Sequence, residues 1–140
     1  MTEIFKGLAH PSAVCDPLIC CLYDYDNPPP FAEPMPRAPH PEVGQVVGGN
    51  FAEIVRAAVA LKEAIHDGAI MVAVDHRSRC TIAGWSYRLF PPPAGIPTPA
   101  NKGSAFNSCA AMSFVPGVLA LYLISKGSVW RFERGSVDRL

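Results

Sequence analysis

Apolar residues recur at three- and four-residue steps from Phe51 through Ile54, Val55, Ala58 and Leu61 to Ile65. That is the period of a helix with one buried face. Asn50 stands at the N-cap position, Glu53 three residues on completes a capping-box pattern, and Gly68 closes the run, so the pattern predicts a helix over residues 51–66. A continuous apolar run, Ala69-Ile70-Met71-Val72-Ala73-Val74, follows at once and reads as a buried strand. Leu18-Ile19-Cys20-Cys21-Leu22-Tyr23 is a second such run, set between Pro17 and the polar cluster Asp24 to Asn27.

Further along, period-two alternation takes over. From Cys80 to Phe90, Ala83, Trp85, Tyr87 and Leu89 fall on one side, while Gly84, Ser86 and Arg88 fall on the other. This predicts a strand that forms an antiparallel hairpin with the preceding one and carries an aromatic face. Ser128 to Arg134 alternates in the same way, with Trp130 and Phe132 together. Val118 to Ile124 is apolar throughout and fits either a strand or a helix, and Asn101 to Ser113 fits a short helix capped by Asn101 or Ser104. These elements predict an α+β domain, with a mixed, mostly antiparallel sheet and one or two helices packed on one face.

Fifteen prolines interrupt this pattern, and they cluster. Residues 28–41 contain seven, and residues 90–99 form a second block. Proline lacks an amide hydrogen and fixes φ, so these segments are expected to run extended over the surface rather than enter a central strand or helix. At 140 residues, with 49% hydrophobic positions, the chain reads as one domain spanning residues 1–140.

The formal charge is zero, but it is unevenly distributed. Residues 1–67 hold nine acids against four bases, and residues 68–140 hold three acids against eight bases. Such a field can steer an acidic partner toward the C-terminal half. The aromatics are not interleaved with the bases as nucleic-acid motifs require, so nucleic acid is not an expected partner. The five cysteines are odd in number and include an adjacent pair, which does not suit a disulfide framework. Met1-Thr2-Glu3-Ile4-Phe5-Lys6 lacks signal-peptide character, and the apolar run from Cys109 to Ile124 is broken by Pro116 and Gly117. A cytoplasmic protein with no membrane contact is the resulting expectation.

Candidate chemistry is sparse. Cys109 lies in the short helical segment, where a helix N-terminus would lower a thiol pKa, and His76 sits in the polar turn 75–79. Together they suggest a nucleophile and base, with Asp75, Asn101 or Asn107 as orienter and backbone N–H groups near Ser108 as oxyanion donors. The stretch Ser108-Cys109, Leu121-Tyr122 and Lys126-Gly127-Ser128-Val129 resembles the end of L,D-transpeptidase domains, which use a cysteine nucleophile. The histidine and glycine that precede that cysteine in the family are absent here. The helix 51–66, Val72-Ala73-Val74-Asp75, Arg88 and Asn101-Lys102-Gly103 are similar in order to the GlcG/HbpS-type domains, small α/β modules. The glycine-rich C-terminal signature of that family is missing.

Gly48-Gly49-Asn50 enters a helix N-terminus and is a candidate anion site. Neither a dinucleotide nor a phosphate-loop pattern accompanies it. His10, Cys15, Cys20 and Cys21 lack zinc spacing, and the adjacent pair should point to opposite faces of a strand, so neither metal nor cofactor is expected. Pro36-Arg37-Ala38-Pro39 and Phe90-Pro91-Pro92-Pro93 match short proline-recognition patterns. The sequence therefore leads to a binding domain that contacts a protein partner, or itself, through Pro91, Pro92, Trp85, Tyr87 and Trp130. The alternative is a cysteine-dependent peptidase, amidase or acyl-transfer enzyme.

Overall fold

The structure, a computed structural model, describes residues 1–9, 16–95, 97 and 99–140. His10, Cys15 and part of the second proline block therefore lie outside the described residues. Seven strands form one mixed sheet: β1 (Leu18–Asp24), β2 (Ala32–Pro34), β3 (Ala69–Val74), β4 (Cys80–Leu89), β5 (Val118–Ser125), β6 (Ser128–Glu133) and β7 (Ser136–Arg139). Their order is β2-β4-β3-β1-β5-β6-β7. β1 pairs parallel with β3, and every other neighbouring pair runs antiparallel.

The helices are α1 (Thr2–Gly7), α2 (Phe51–Leu61) and α3 (Gly103–Met112), with a 3₁₀ turn over Glu63–His66. The expected α+β class stands. The third helix covers the face opposite the other two, so the sheet is buried on both sides.

Strand alternation builds the two cores. Cys20, Leu22, Ile70, Val72, Ala120, Tyr122 and Ile124 face one layer, against Phe5 and Leu8 near α1 and Phe51, Val55 and Ala58 of α2. Cys21, Met71, Leu121 and Leu123 face the other, against Phe106, Cys109 and Met112 of α3. Cys20 and Cys21 thus do lie on opposite faces. This arrangement explains why β1, β3 and β5 read as unbroken apolar runs: both of their faces are covered. Val118–Ser125, which fitted two elements, is a strand for the same reason.

The predicted helix over 51–66 is shorter than its apolar period implies. α2 ends at Leu61 because Lys62 turns extended, with φ −154° and ψ 115°. Leu61 is accordingly 48% exposed, while Phe51 and Ile65 are buried as expected. No side-chain cap bond forms at Asn50. The Glu53 N–H that a capping box would engage is donated instead to the Asn50 carbonyl oxygen at 3.1 Å.

Two elements had no counterpart in the sequence pattern. α1 is a six-residue helix that inserts Phe5, stacked on Tyr122 at 4.1 Å and edge-on to Phe51 at 5.7 Å. β7 is a fully exposed edge strand. The first proline segment contributes the opposite edge: Ala32–Pro34 pairs with β4, as proline permits only at a sheet margin. Among the described residues, no helix is long and apolar enough to cross a membrane.

Phe5 is wholly buried between two other rings. Phe5→Ala is therefore expected to destabilise the fold by about 3–5 kcal/mol. Urea unfolding followed by circular dichroism measures the loss. A change below about 1 kcal/mol would show that α1 is no part of the core.

Candidate functional site

The β-bulges of β4 decide where its side chains point. Met71 pairs with Gly84 but Val72 with Ile82, and Ala69 pairs with Tyr87, so β4 carries an extra residue twice. Ser86, at φ 58°, occupies the second irregularity. The bulge breaks the expected alternation. Trp85 turns into the α2 layer, 1% exposed, and donates its indole N–H to the Glu42 carbonyl at 2.9 Å. Tyr87 and Leu89 turn to the α3 layer instead. Trp85 and Tyr87 therefore do not share an aromatic face, and Trp85 offers no surface to a partner.

Ser86 is fully buried and its side chain ties three segments together. Its hydroxyl donates to the Asp67 carbonyl and accepts a hydrogen bond from Arg37 Nε at 2.9 Å. Arg37 Nε also donates to the Ala64 carbonyl at 3.0 Å. The arginine of the Pro36-Arg37-Ala38-Pro39 pattern is thus turned inward, where it anchors the proline segment to the 3₁₀ turn. Beside it, Gly68 adopts φ +86°, and a Cβ there would lie 2.6 Å from the Tyr87 carbonyl oxygen. Only glycine lets the chain pass from the 3₁₀ turn into β3 this close to β4. Gly84 has a parallel role, because the Tyr87 ring lies across it and a Cβ would meet that ring at 2.3 Å.

These contacts shape a cleft of about 310 Å³ at one end of the sheet. Its walls come from Pro17 and Ile19 at the start of β1, Met35 after β2, His66-Asp67-Gly68-Ala69 entering β3, Tyr87-Arg88-Leu89 ending β4, and Ser104, Ala105 and Ser108 of α3. Ile19, Tyr87 and Leu89 supply apolar surface and a ring. Ser104 and Ser108 supply hydroxyls on the first turns of α3, whose free backbone N–H groups favour negative charge. Asp67 supplies an exposed carboxylate 3.5 Å from His66 Nε2, and His66 Nδ1 lies 2.6 Å from the Glu63 carbonyl. Arg88 is paired with Glu33 of β2. Such a volume, with mixed apolar and hydrogen-bonding walls, is at the small end of ligand pockets.

The residues singled out by sequence are dispersed. Cys109 lies in α3 but on its buried side, with no exposed surface, and burial beside Cys21 pushes its thiol well above the ordinary range. His76 sits exposed in the β3–β4 turn. The structure does not bring the two together, and a buried neutral thiol lacks nucleophile character. Asp75 does not orient His76. Its carboxylate accepts N–H bonds from Arg79 at 2.9 Å and Arg77 at 2.8 Å, which hold its pKa below the usual value and close the turn.

At the start of α2, the Phe51 N–H is taken by the Gly48 carbonyl, and the Glu53 and Ile54 N–H groups by the Asn50 carbonyl. Trp130 is half-buried and edge-on to Phe106 at 5.4 Å. Pro91 is partly exposed and Pro92 exposed. Among the cleft residues, Tyr87 had been singled out as a partner contact, Ser104 as a helix cap and Ser108 for its neighbouring N–H groups, whereas His66 and Asp67 had not. The available signal was positional: Asp67-Gly68-Ala69 joins a turn to a buried strand, and Ser104 opens a helix.

No protein-family profile matches this sequence. No curated protein matches it either. Solved structures do share the fold. A hypothetical membrane spanning protein from Bacillus cereus superposes with a TM-score of 0.67 at 12% identity, over 99% of this chain. The chain spans 60% of that protein's length. DacA from Staphylococcus aureus, solved as a double mutant, superposes with a TM-score of 0.53 at 12% identity, over 99% of this chain and 81% of that one. At such identity the likeness establishes the fold alone.

Burial raises Cys21 from the ordinary 9.0 to about 12 and moves Cys109 in the same direction. Both thiols stay protonated in the fold and ionise on unfolding, so stability is full below pH 9 and falls above it. Alkaline titration of the urea midpoint is expected to show this fall, reduced in Cys109→Ala. Iodoacetamide should label Cys109 more slowly than a free thiol at neutral pH, and faster only once urea opens the fold. Rapid labelling of the native protein would restore the thiol-enzyme reading.

Proposed function

We propose that this chain is a ligand-binding domain whose cleft between β3, β4 and α3 takes a small organic anion with a flat apolar body. A nucleotide is the common ligand class with both properties. The observation that carries this reading is the convergence of five separate segments on one cleft of about 310 Å³. In the proposed pose the flat body lies against Tyr87, Ile19 and Leu89. The anionic group meets Ser104, Ser108 and the first backbone N–H groups of α3. The exposed Asp67 carboxylate accepts hydrogen bonds from ligand hydroxyl or amino groups. Binding rather than thiol chemistry is supported because Cys109 is buried away from the cleft.

A second reading retains a protein partner. Phe31 and Phe90 stand edge to face at 6.0 Å, 37% and 42% exposed, beside Pro91 and Pro92. Arg88 also lies over the Phe90 ring at 5.1 Å. In this reading the stiff proline segment and the paired rings dock on a groove of a partner or of a second copy. Replacement of Phe90, Pro91 and Pro92 by serine is expected to abolish any such association in pull-down or sedimentation measurements. Unchanged association would remove this reading without touching the first.

The test of the leading reading is titration with AMP, ADP and ATP by calorimetry and thermal shift, since a ligand that binds only the folded state raises the melting temperature. Saturable binding is expected. Tyr87→Ala should weaken it by about 1–3 kcal/mol, the usual worth of a base–aromatic stack. Gly84→Ala, which displaces the Tyr87 ring, should weaken it similarly. Absence of saturation with all three nucleotides at millimolar concentration would reject the proposal.

A further inference from the structure

A second cleft, of about 430 Å³, lies on the other side of the first turn of α3. Pro17, Ser104 and Ala105 form the wall it shares with the first. Its character is different. Lys102, Lys126 and Arg139 line it, arriving from the N-cap of α3, the β5–β6 turn and the end of β7. The side chain of Trp130 forms part of its surface.

Lys102 Nζ lies 4.3 Å from the Trp130 ring centroid and Arg139 Cζ 5.7 Å from it. Arg139 Nη2 donates to Ser128 Oγ at 2.8 Å, which fixes the guanidinium at the rim. Asp16 is the nearby acid; its carboxylate accepts the backbone N–H of Lys126 at 2.7 Å. Among the described residues, no carboxylate forms an ion pair with the side chain of Lys102, Lys126 or Arg139. Elsewhere on the sheet, Arg88 and Arg131 each have a glutamate partner.

Three cations from distant parts of the chain are therefore held around one concavity and repel each other across it. A low-dielectric wall with one sign of charge focuses the field into the cleft. The indole holds two of the cations in place without neutralising them. We infer that this cleft is a second binding site, for the phosphoryl group of a small molecule, engaged by Lys102, Lys126 and Arg139. The phosphate chemistry is common to free phosphate esters and lipid headgroups. The concave shape, about 430 Å³ in volume and walled by α3, β5, β6 and β7, favours the soluble ester. The inference does not depend on what occupies the first cleft.

Inorganic pyrophosphate is the probe, titrated by calorimetry at low salt and followed by indole fluorescence. Saturable binding is expected, with Lys102→Gln and Arg139→Gln each weakening it about tenfold, as loss of a charge-assisted hydrogen bond implies. Added salt should weaken it further. Tyr87→Ala, which disables the first cleft, should leave pyrophosphate affinity unchanged, so failure at one site is distinguishable from failure at the other. These positions are exposed, and matching melting curves establish that the variants fold. Binding that persists in the Lys102→Gln/Arg139→Gln double variant, or no saturation at millimolar pyrophosphate, would overturn the inference. Co-sedimentation with phosphatidylglycerol vesicles without pyrophosphate binding would overturn it equally.

Discussion

Cys20 and Cys21 face opposite ways from the central strand, one into the layer under α1 and α2 and one into the layer under α3. This double covering of β1 and its neighbours is the constraint on which the rest of the molecule depends. A sheet buried on both faces expels water from each, and its apolar area is the main source of stability. It also fixes what is left at the margins. The polar side chains that remain near the sheet collect at its ends and edges, and both clefts open where α3 meets the strand termini.

The strands that carry this constraint were legible because their apolar runs are bounded by proline, glycine and aspartate. Leu18–Asp24 and Ala69–Val74 are the plainest cases. The parallel pairing of these two strands was not legible, since no local pattern encodes which strand lies beside which. α1 escaped notice because six residues are too few to show a period, and its contribution is one ring. β7 escaped because all four of its residues are exposed and polar pairing leaves no alternation to read. The cleft was invisible for a different reason. Its walls come from residues about ninety positions apart, and most of them are ordinary in composition.

Charge segregation along the chain has a structural counterpart. The basic excess of residues 68–140 does not spread evenly, because Arg88 and Arg131 are paired with glutamates while Lys102, Lys126 and Arg139 gather behind α3. The proline segments likewise do more than separate elements. Residues 32–34 close one sheet margin, and Arg37 pins the following stretch to the turn that opens β3. Stiff imino acids keep the segment on the surface, and a single inward arginine sets its position.

The irregularity at Ser86 has a consequence for how this chain can change. It lets an indole and a phenol two positions apart serve opposite sides of the sheet. An unbulged strand of the same length would turn both rings toward the same layer, emptying either the packed interior or the open cleft. The backbone kink and the buried hydroxyl that fills it are therefore as much a part of the molecule's specification as the two rings they separate.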